Sequence, residues 1–312
     1  MRATVVITTK NRREDLRRAI ASALAQTSQP EILVVDDGST DGTWEAVTRE
    51  FPSARLHRSE QSLGLVVQRN RAARLASAPI LFSLDDDAVF STPTIVEATL
   101  RKFDHPRIGA VAIPFVDVNR GPAVLQQAPQ REQVFATYDY IGTAHALRRD
   151  LFLELGGYRE VLFHQGEEED YCIRMLNAGF ITRAGSADPI HHFESPRRNW
   201  ARMDFYGARN KVLYAWQNVP HPYLTPHLAV SSVMTSLYTH NPRRMLTRWR
   251  GVLIAYFLIS AGRCHRQPVE GRTYRVSRML KRRRFVPFSE FETMLPELSI
   301  PGRDAPKVCV GA

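Results

Sequence analysis

The first 90 residues alternate between short apolar runs and segments in which apolar side chains recur every three or four positions. Short β-branched runs are typical of buried strands, and the wider spacing is typical of a helix with one buried face. Strand patterns occupy 4–8, 32–35, 55–57 and 80–84, and helix patterns occupy 14–25, 44–51 and 68–76. This alternation predicts an α/β fold with a mostly parallel sheet flanked by helices.

The pattern continues, less regularly, to about residue 184. It predicts helices over 93–103, 149–155 and 167–177, and strands over 108–116, within 134–147 and over 181–184. Beyond residue 197 the strand pattern stops, and helix patterns occupy 200–216, 228–238 and 252–261. We therefore predict an α/β domain over 1–196 and a mainly helical extension over 197–312.

The charge differs between these two parts. Residues 1–196 contain 22 Lys and Arg against 26 Asp and Glu, whereas residues 197–312 contain 20 against 6. A basic extension on a weakly acidic domain indicates two separate tasks. The apolar helices at 228–238 and 252–261 are shorter than the roughly 20 residues that a membrane span requires. They fit either a helix pair lying on anionic lipid or ordinary buried helices with solvated arginines.

The number and spacing of the cysteines, together with the first residues of the chain, predict the cellular compartment of the protein. The chain opens without a secretory signal, and its three cysteines, Cys172, Cys264 and Cys309, lack the spacing of a metal site. We expect a protein of the reducing cytosol. The basic extension adds an expected contact with the inner face of the cytoplasmic membrane.

Three polar clusters follow predicted strands: Thr8-Thr9, Asp36-Asp37 and Asp85-Asp86-Asp87. The carboxyl ends of parallel strands meet at one edge of a sheet, so we expect these clusters to converge on one crevice. Three adjacent carboxylates repel one another unless a cation lies among them, and a divalent ion such as Mg²⁺ takes oxygen ligands. A solvated acidic turn is the alternative interpretation of the Asp triplet.

Two further groups carry candidate chemistry. Glu167-Glu168-Glu169-Asp170 opens a predicted helix, where acidic residues favour the helix dipole, but four in a row exceed what capping needs. The pair His191-His192 follows a strand and is interpreted as a source of a metal ligand. Surface or core histidines are the alternative.

Taken together and in order, these stretches resemble family 2 glycosyltransferases with the GT-A fold. The resemblance covers residues 4 to about 195, and residues 197–312 match nothing as securely. Its motifs are Thr8-Thr9-Lys10-Asn11-Arg12, Val34-Val35-Asp36-Asp37-Gly38-Ser39-Thr40-Asp41, Leu84-Asp85-Asp86-Asp87, Gly156-Gly157-Tyr158 and Gly166-Glu167-Glu168-Glu169-Asp170.

The resemblance implies a role for each matching position. The nucleotide would be held by Thr8, Thr9, Asn11, Arg12, Asp36, Asp37, Arg69, Asp85 and Asp86. The metal ion, Mg²⁺ or Mn²⁺, would be held by Asp85, Asp87 and a histidine, with His191 preferred to His192. Glu168 falls at the position of the catalytic base, with Glu167 and Glu169 as alternatives and Asp170 in support. Gly156, Gly157 and Tyr158 would face the acceptor.

The implied activity is metal-dependent transfer of a sugar, with inversion, from a UDP- or dTDP-sugar to a glycan or lipid-linked acceptor. Glu168 is expected to be ionised at neutral pH if the metal or Arg174 lies near it. Two alternatives remain. A sugar nucleotidyltransferase would need a glycine-rich loop after the first strand, and none is present. A non-enzymatic basic protein could bind membrane or nucleic acid, but the acidic clusters make nucleic acid an unexpected partner.

Overall fold

The computed structural model describes residues 1–194 and 199–299. The predicted boundary between the two parts, at 196/197, and Cys309 lie outside these residues. Within them the strands are β1 (Ala3–Thr9), β2 (Glu31–Asp36), β3 (Arg55–Arg58), β4 (Ile80–Asp85), β5 (Ala88–Phe90), β6 (Ile108–Ala112), β7 (Phe115–Asp117), β8 (Val124–Leu125), β9 (Phe135–Thr137), β10 (His145–Arg148), β11 (Ile181–Ala184), β12 (Ile190–His192) and β13 (Phe285–Pro287).

Most helices match the predicted pattern within a few residues, but α9 begins well before its predicted start and α10 was not predicted. They are α1 (Arg13–Leu24), α2 (Thr43–Glu50), α3 (Leu65–Leu75), α4 (Ile95–Leu100), α5 (Arg149–Glu154), α6 (Glu167–Asn177), α7 (Trp200–Asn218), α8 (Leu224–Ser236), α9 (Pro242–Ser260) and α10 (Gly271–Arg283). None of the helices in the described ranges has both the length and the apolar character needed to cross a membrane.

A nine-stranded mixed sheet forms the centre of the fold, in the order β13-β9-β11-β6-β10-β4-β1-β2-β3. Strands β4, β1, β2 and β3 run parallel, as the βαβ alternation predicts. Strand β10 runs antiparallel to both β4 and β6. The parallel half therefore holds the strand ends that carry the polar clusters.

A second sheet of four short strands, in the order β5-β12-β7-β8, lies beyond the end of β4. The sequence pattern did not separate β5 and β12 as strands, because each is only three residues long. Strand β12 pairs with β5 and β7, which opposes His192 to Ala88 and to Asp117. This pairing carries the histidine pair to the edge where the Asp triplet lies.

The last part of the chain packs into the same core as the first strands. Strand β13 extends the large sheet by pairing with β9, so the segment after 197 is not helical throughout. Val276, Leu280, Val286 and Phe291 are buried in one hydrophobic cluster with residues of β1 and β2. Burial of these side chains, worth about 1.5–3 kcal/mol for each large one, ties the extension to the sheet.

Candidate active site

The predicted convergence of the polar clusters is confirmed by the register of the sheet. Thr8 lies opposite Asp85 on β4, and Thr9 lies opposite Asp36 on β2. The Thr9 hydroxyl donates a hydrogen bond of 2.8 Å to Asp86. The carboxyl ends of three neighbouring parallel strands thus form one polar edge.

An open cleft of about 540 Å³ lies at this edge. The strand ends form its floor, and the loop before α3 forms one wall. Sequence reasoning missed several side chains of the other wall, because they come from short loops and from α7, far along the chain. These are Phe163, His164, Asn199, Arg202 and Met203.

Asp85, Asp87 and His192 form a group that could hold a metal ion. One ligand atom from each lies within 4.8 Å of the others, and His192 Nε2 is 3.3 Å from Asp87 Oδ1. Burial opposes a charge on His192, but Asp87, Asp85 and Asp117 outweigh it and raise its pKa. Carboxylates are ligands that Mg²⁺ and Mn²⁺ prefer, and a neutral imidazole can complete the set. The donor set therefore fits the expected cation.

The structure places His192, rather than the preferred His191, in this group. Successive side chains of a strand point to opposite faces, so only one residue of the pair can face Asp87. The pairing of β12 with β5 and β7 decides which one, and the sequence does not contain that pairing.

Arg12 lies against the same carboxylates. Its guanidinium contacts Asp87 closely and Asp86 at 3.4 Å. Burial raises the pKa of Asp86 to about 7, with Arg12 opposing and Asp87 adding to the shift. Burial acts in the same direction on Asp87, but His192 and Arg12 outweigh it and lower its pKa. Arg12 thus neutralises part of the charge of the triplet.

Arg69 joins this acidic group to the first turn of α6. The buried guanidinium is 2.9 Å from Asp85 and 3.3 Å from both Glu167 and Glu168. Asp85 and Glu168 therefore lie on two sides of a single side chain. A cation held by three carboxylates is fixed in position, because each bond restrains the guanidinium fork.

Of the first three carboxylates of α6, Glu168 is the one that is both accessible to solvent and in contact with Arg69. Its side chain is 18% exposed, whereas that of Glu167 is 2% exposed. Burial, then the charge of Glu167, raises the pKa of Glu168 to about 8 against the opposing effect of Arg69. Burial raises the pKa of Glu167 as well. Arg174 does not supply the positive charge that would favour ionisation of Glu168, since it binds Asp170 and two carbonyl groups instead.

The next two acidic residues of α6 face other partners. Glu169 accepts hydrogen bonds from Lys281, at 2.8 Å, and from Tyr138. Asp170 is fully buried and binds Arg159 at 2.6 Å, Asn218 at 2.7 Å and Arg174 at 3.0 Å. Burial alone would raise the pKa of Asp170, but the two arginines lower it. Asp170 thus anchors α6 to its neighbours and does not line the cleft.

Three other residues predicted to bind the nucleotide already accept hydrogen bonds from groups of the protein itself. Asn11 accepts from the Thr40 amide at 2.8 Å, and Asp36 accepts from the Ser39 amide at 2.9 Å. Asp37 does line the cleft, but Gln68 and the 62–64 loop donate to its carboxylate. Burial opposes ionisation of Asp37, and these donors outweigh it and lower its pKa.

The predicted acceptor residues lie away from the cleft. Gly156 and Gly157 form the turn after α5, with φ of +81° and +67°. Tyr158 is buried, and its hydroxyl lies 3.2 Å from His145 Nε2. Asn70 and the backbone of Tyr158 exchange two hydrogen bonds of 2.8 and 2.9 Å. The motif therefore folds the chain into the core here, and the structure does not bring it to the cleft.

The segment from Phe163 to Gly166 forms the wall beside Glu168. Phe163 and Gln165 have positive φ of 58° and 69°, which is uncommon for non-glycine residues and typical of functional sites. Asn210 of α7 holds the segment, since its amide donates to the carbonyls of Leu162, His164 and Gln165 at 2.6–2.9 Å. Helix α7 thus shapes the site, although no motif in its sequence indicates this.

Comparisons with known proteins show what this part of the chain is similar to. Residues 4–156 match the model of the family described as Glycosyl transferase family 2. The chain carries a family 2 glycosyltransferase domain. The matched range covers the two motifs at 8–12 and 34–41, the Asp triplet and Gly156, and it stops before α6.

Two curated relatives extend this glycosyltransferase match. The glucosyl-dolichyl phosphate glucuronosyltransferase of Haloferax volcanii is 27% identical over 203 residues, covering 56% of this chain and 63% of the relative. The pre-mycofactocin glycosyltransferase of Mycobacterium tuberculosis is 28% identical over 284 residues, covering 83% of this chain and 53% of the relative. The chain thus spans less than two thirds of the length of either relative.

Solved structures confirm the GT-A fold. The mannosyltransferase PcManGT of Pyrobaculum calidifontis, in complex with GDP-Man and Mn²⁺, aligns with a TM-score of 0.56 at 22% identity, over 84% of this chain and 79% of that one. TarS 1-349 of S. aureus, in complex with UDP-GlcNAc, aligns with a TM-score of 0.60 at 16% identity, over 83% and 81%. At these identities the likeness concerns the fold alone.

Proposed function

We propose that the protein transfers a sugar from a nucleotide diphosphate donor to a hydroxyl group of a glycan or lipid-linked acceptor, with inversion at the anomeric carbon. One observation supports this most directly. Arg69 contacts Asp85 of the metal group and Glu168 of α6, so the two functions that the reaction needs lie on either side of one guanidinium. The family 2 domain adds independent support.

In this proposal the donor lies in the cleft, with its diphosphate near Asp85, Asp87 and His192. These three residues would hold Mg²⁺ or Mn²⁺, which supplies charge neutralisation for the leaving nucleoside diphosphate. Thr8, Thr9 and Arg12 line the same cleft and would contact the nucleotide. We propose UDP or dTDP as the nucleotide.

Glu168 would accept the proton of the attacking hydroxyl. A general base works best when its pKa is near the working pH, and a pKa of about 8 meets this condition. Arg69 would keep the carboxylate in place and favour its ionised form before the proton is transferred. A single displacement, with the acceptor opposite the leaving group, inverts the anomeric centre.

Calorimetric titration with UDP, dTDP and GDP, each with and without Mn²⁺, tests the donor site. We expect one nucleotide to bind in a metal-dependent way and Asp87→Ala to abolish that dependence. Glu168→Gln should retain the nucleotide affinity but lose transfer at least about 100-fold, the usual contribution of a positioned base. Binding that ignores Mn²⁺, or an Asp87→Ala variant with unchanged binding, would refute the metal assignment.

We further propose that α8 and α9 contact anionic lipid. The apolar residues of α9 that recur at helical spacing point outward: Leu246 is 63%, Leu253 62% and Phe257 59% exposed. The buried side of α9 instead contains Arg248, Gly251, Val252 and Ala255. An outward apolar stripe is the reverse of an ordinary surface helix and is typical of an interfacial one.

The charges around the outward apolar face of α8 and α9 indicate what kind of surface it contacts. Arg243 and Arg250 follow the same helical spacing as the outward stripe, and residues 224–260 contain no Asp or Glu. Helix α8 adds outward Val230 and Val233, and Leu237 follows directly after it. Apolar side chains among unopposed arginines suit an anionic bilayer surface. We propose its cytoplasmic side, where the free thiols Cys172 and Cys264 stay reduced.

Co-sedimentation with vesicles tests this contact. The protein should bind vesicles that contain phosphatidylglycerol and not vesicles of phosphatidylcholine alone, and Leu253→Glu should abolish binding without changing Mn²⁺-dependent nucleotide affinity. A protein that stays in the supernatant with both vesicles, and is a dimer that Leu253→Glu dissociates, would show instead that the face joins two copies.

A further inference from the structure

A second groove, of about 600 Å³, lies on the other side of the Phe163–Gly166 segment from the donor cleft. Phe163 and His164 line the cleft, whereas Gln165, Gly166 and Glu169 line the groove. Glu168 lies within the same helical turn as these groove residues. The groove therefore offers an acceptor a route toward the proposed base from the side opposite the cleft.

The groove walls come from α7, α8 and α10, outside the range that matches the family model. One wall is apolar and aromatic, with Tyr223, Pro226, Val230 and Met234. Val230 and Met234 are 59% and 63% exposed, so this wall continues into the outward face of α8 and α9. The groove is therefore open toward the surface that we propose to contact lipid.

The opposite wall carries positive charge. Lys211, Arg278 and Lys281 line it, and Glu169 is the carboxylate among the lining residues. Glu169 is paired with Lys281 at 2.8 Å, while Lys211 and Arg278 form no ion pair among the residues that the structure describes. His227 adds no charge at neutral pH, because burial, then Arg278 and Lys281, lowers its pKa to about 4.

We propose that this groove binds the acceptor, and that the acceptor is an amphiphilic phosphate ester that also carries the attacking hydroxyl group. Its phosphate lies against Lys211 and Arg278, its apolar chain lies along Tyr223, Val230 and Met234, and its hydroxyl group extends toward Glu168. The proposal rests on the proposed glycosyl transfer, since it names the substrate class of that reaction. Two cations without a carboxylate partner attract an anion, and the apolar wall excludes a purely polar glycan from full contact.

Binding of simple probes tests the groove without knowledge of the acceptor. Farnesyl phosphate, farnesol and inorganic phosphate, each below its aggregation limit, are titrated into the full chain. Farnesyl phosphate should bind at least 10-fold more tightly than either of the others, because only it has both parts. Equal binding of farnesol would remove the role of the cations, and equal binding of inorganic phosphate would remove the role of the apolar wall.

Matched variants locate the site. Arg278→Gln and Lys211→Gln should each weaken farnesyl phosphate binding about 10-fold, and Val230→Asn should weaken it with no effect on inorganic phosphate. Arg275→Gln is the control and should change nothing, because Arg275 is exposed like Arg278 and lies one helical turn away on α10, but does not line the groove. If Arg275→Gln weakens binding as much as Arg278→Gln, the probe responds to general surface charge and the proposal fails.

Two further measurements separate this proposal from the others. Leu253→Glu, on the outward face of α9, should leave farnesyl phosphate binding intact, and its loss would place the probe on that face instead. Mn²⁺-dependent nucleotide binding should be unchanged in the groove variants. Absence of nucleotide binding in every variant, with intact farnesyl phosphate binding, would refute the proposed transfer but not the groove.

Discussion

Replacing Glu168 with glutamine should stabilise the protein, and by an amount that depends on pH. Folding moves the pKa of this carboxyl group from 4.5 to about 8. Between these two values the folded state binds more protons than the unfolded state, so stability falls as pH rises through that window. Glutamine is neutral at every pH and removes this loss.

The magnitude follows from the shift. At 1.36 kcal/mol for each pKa unit, the ionised carboxylate costs about 5 kcal/mol of folding free energy above pH 8. Loss of a negative charge in the first turn of α6 destabilises the variant by about 0.3–1 kcal/mol and offsets part of this gain. Because Glu167 shares Arg69 and part of the shift, we expect a net gain of about 2–4 kcal/mol for Glu168→Gln at pH 9. Near pH 5 the gain should shrink to about 1 kcal/mol or less, since the folded wild type is then protonated.

Urea denaturation at pH 5 and pH 9, in the presence of a chelator, measures both values without any substrate. Glu169→Gln is the matched control: it lies one residue further along α6 and its part-exposed ion pair with Lys281 contributes about 0–1 kcal/mol. It should destabilise slightly at both pH values. A Glu168→Gln variant that is less stable than wild type at pH 9, or equally shifted at both pH values, would show that the carboxylate is ionised and satisfied in the folded protein.

Three further predictions follow from the geometry. His192→Ala should weaken Mn²⁺-dependent nucleotide binding at least about 10-fold in calorimetry, whereas His191→Ala should leave it unchanged; the reverse result would contradict the observed strand pairing. Asp170→Asn should destabilise by about 3–5 kcal/mol in urea, because it leaves two arginines without their buried partner, and a loss below 1 kcal/mol would contradict the anchoring role. Gly157→Ala should cost more stability than Gly156→Ala, by about 1 kcal/mol or more, since both have positive φ but only the Gly157 Cβ would meet Asn70 Oδ1, at 2.7 Å; equal melting temperatures would show that Asn70 moves without cost.

The order of strands and helices in the first 90 residues followed from the sequence because each element there has a clear period. Parallel pairing then forces the strand ends to one edge, which is why the sequence alone predicts that Thr9, Asp37 and Asp85 lie together. The Asp triplet indicated a cation by charge repulsion alone. These conclusions depend on local pattern and on a general rule of sheet topology.

The remaining assignments depended on contacts between distant segments. His192, rather than His191, faces Asp87 because β12 pairs with β5 and β7, and the three-residue strands β5 and β12 are too short to be recognised in the sequence. Tyr158 and Asp170 lie in the core, where Asn70, Arg159 and Asn218 meet them from other elements.

The sequence by itself determined the elements from β1 to β4 and the edge at which their polar residues meet, since strand period, helix period and turn residues are local properties. Only the tertiary structure decided which side chain of each cluster faces the cleft. It also decided that α7, α8 and α10 form a second groove, which is lined by Glu169, the neighbour of Glu168. The physical reason is that side-chain direction and burial are set by packing partners, and those partners lie far away in the sequence, as Arg69 and Glu168 do, 99 residues apart.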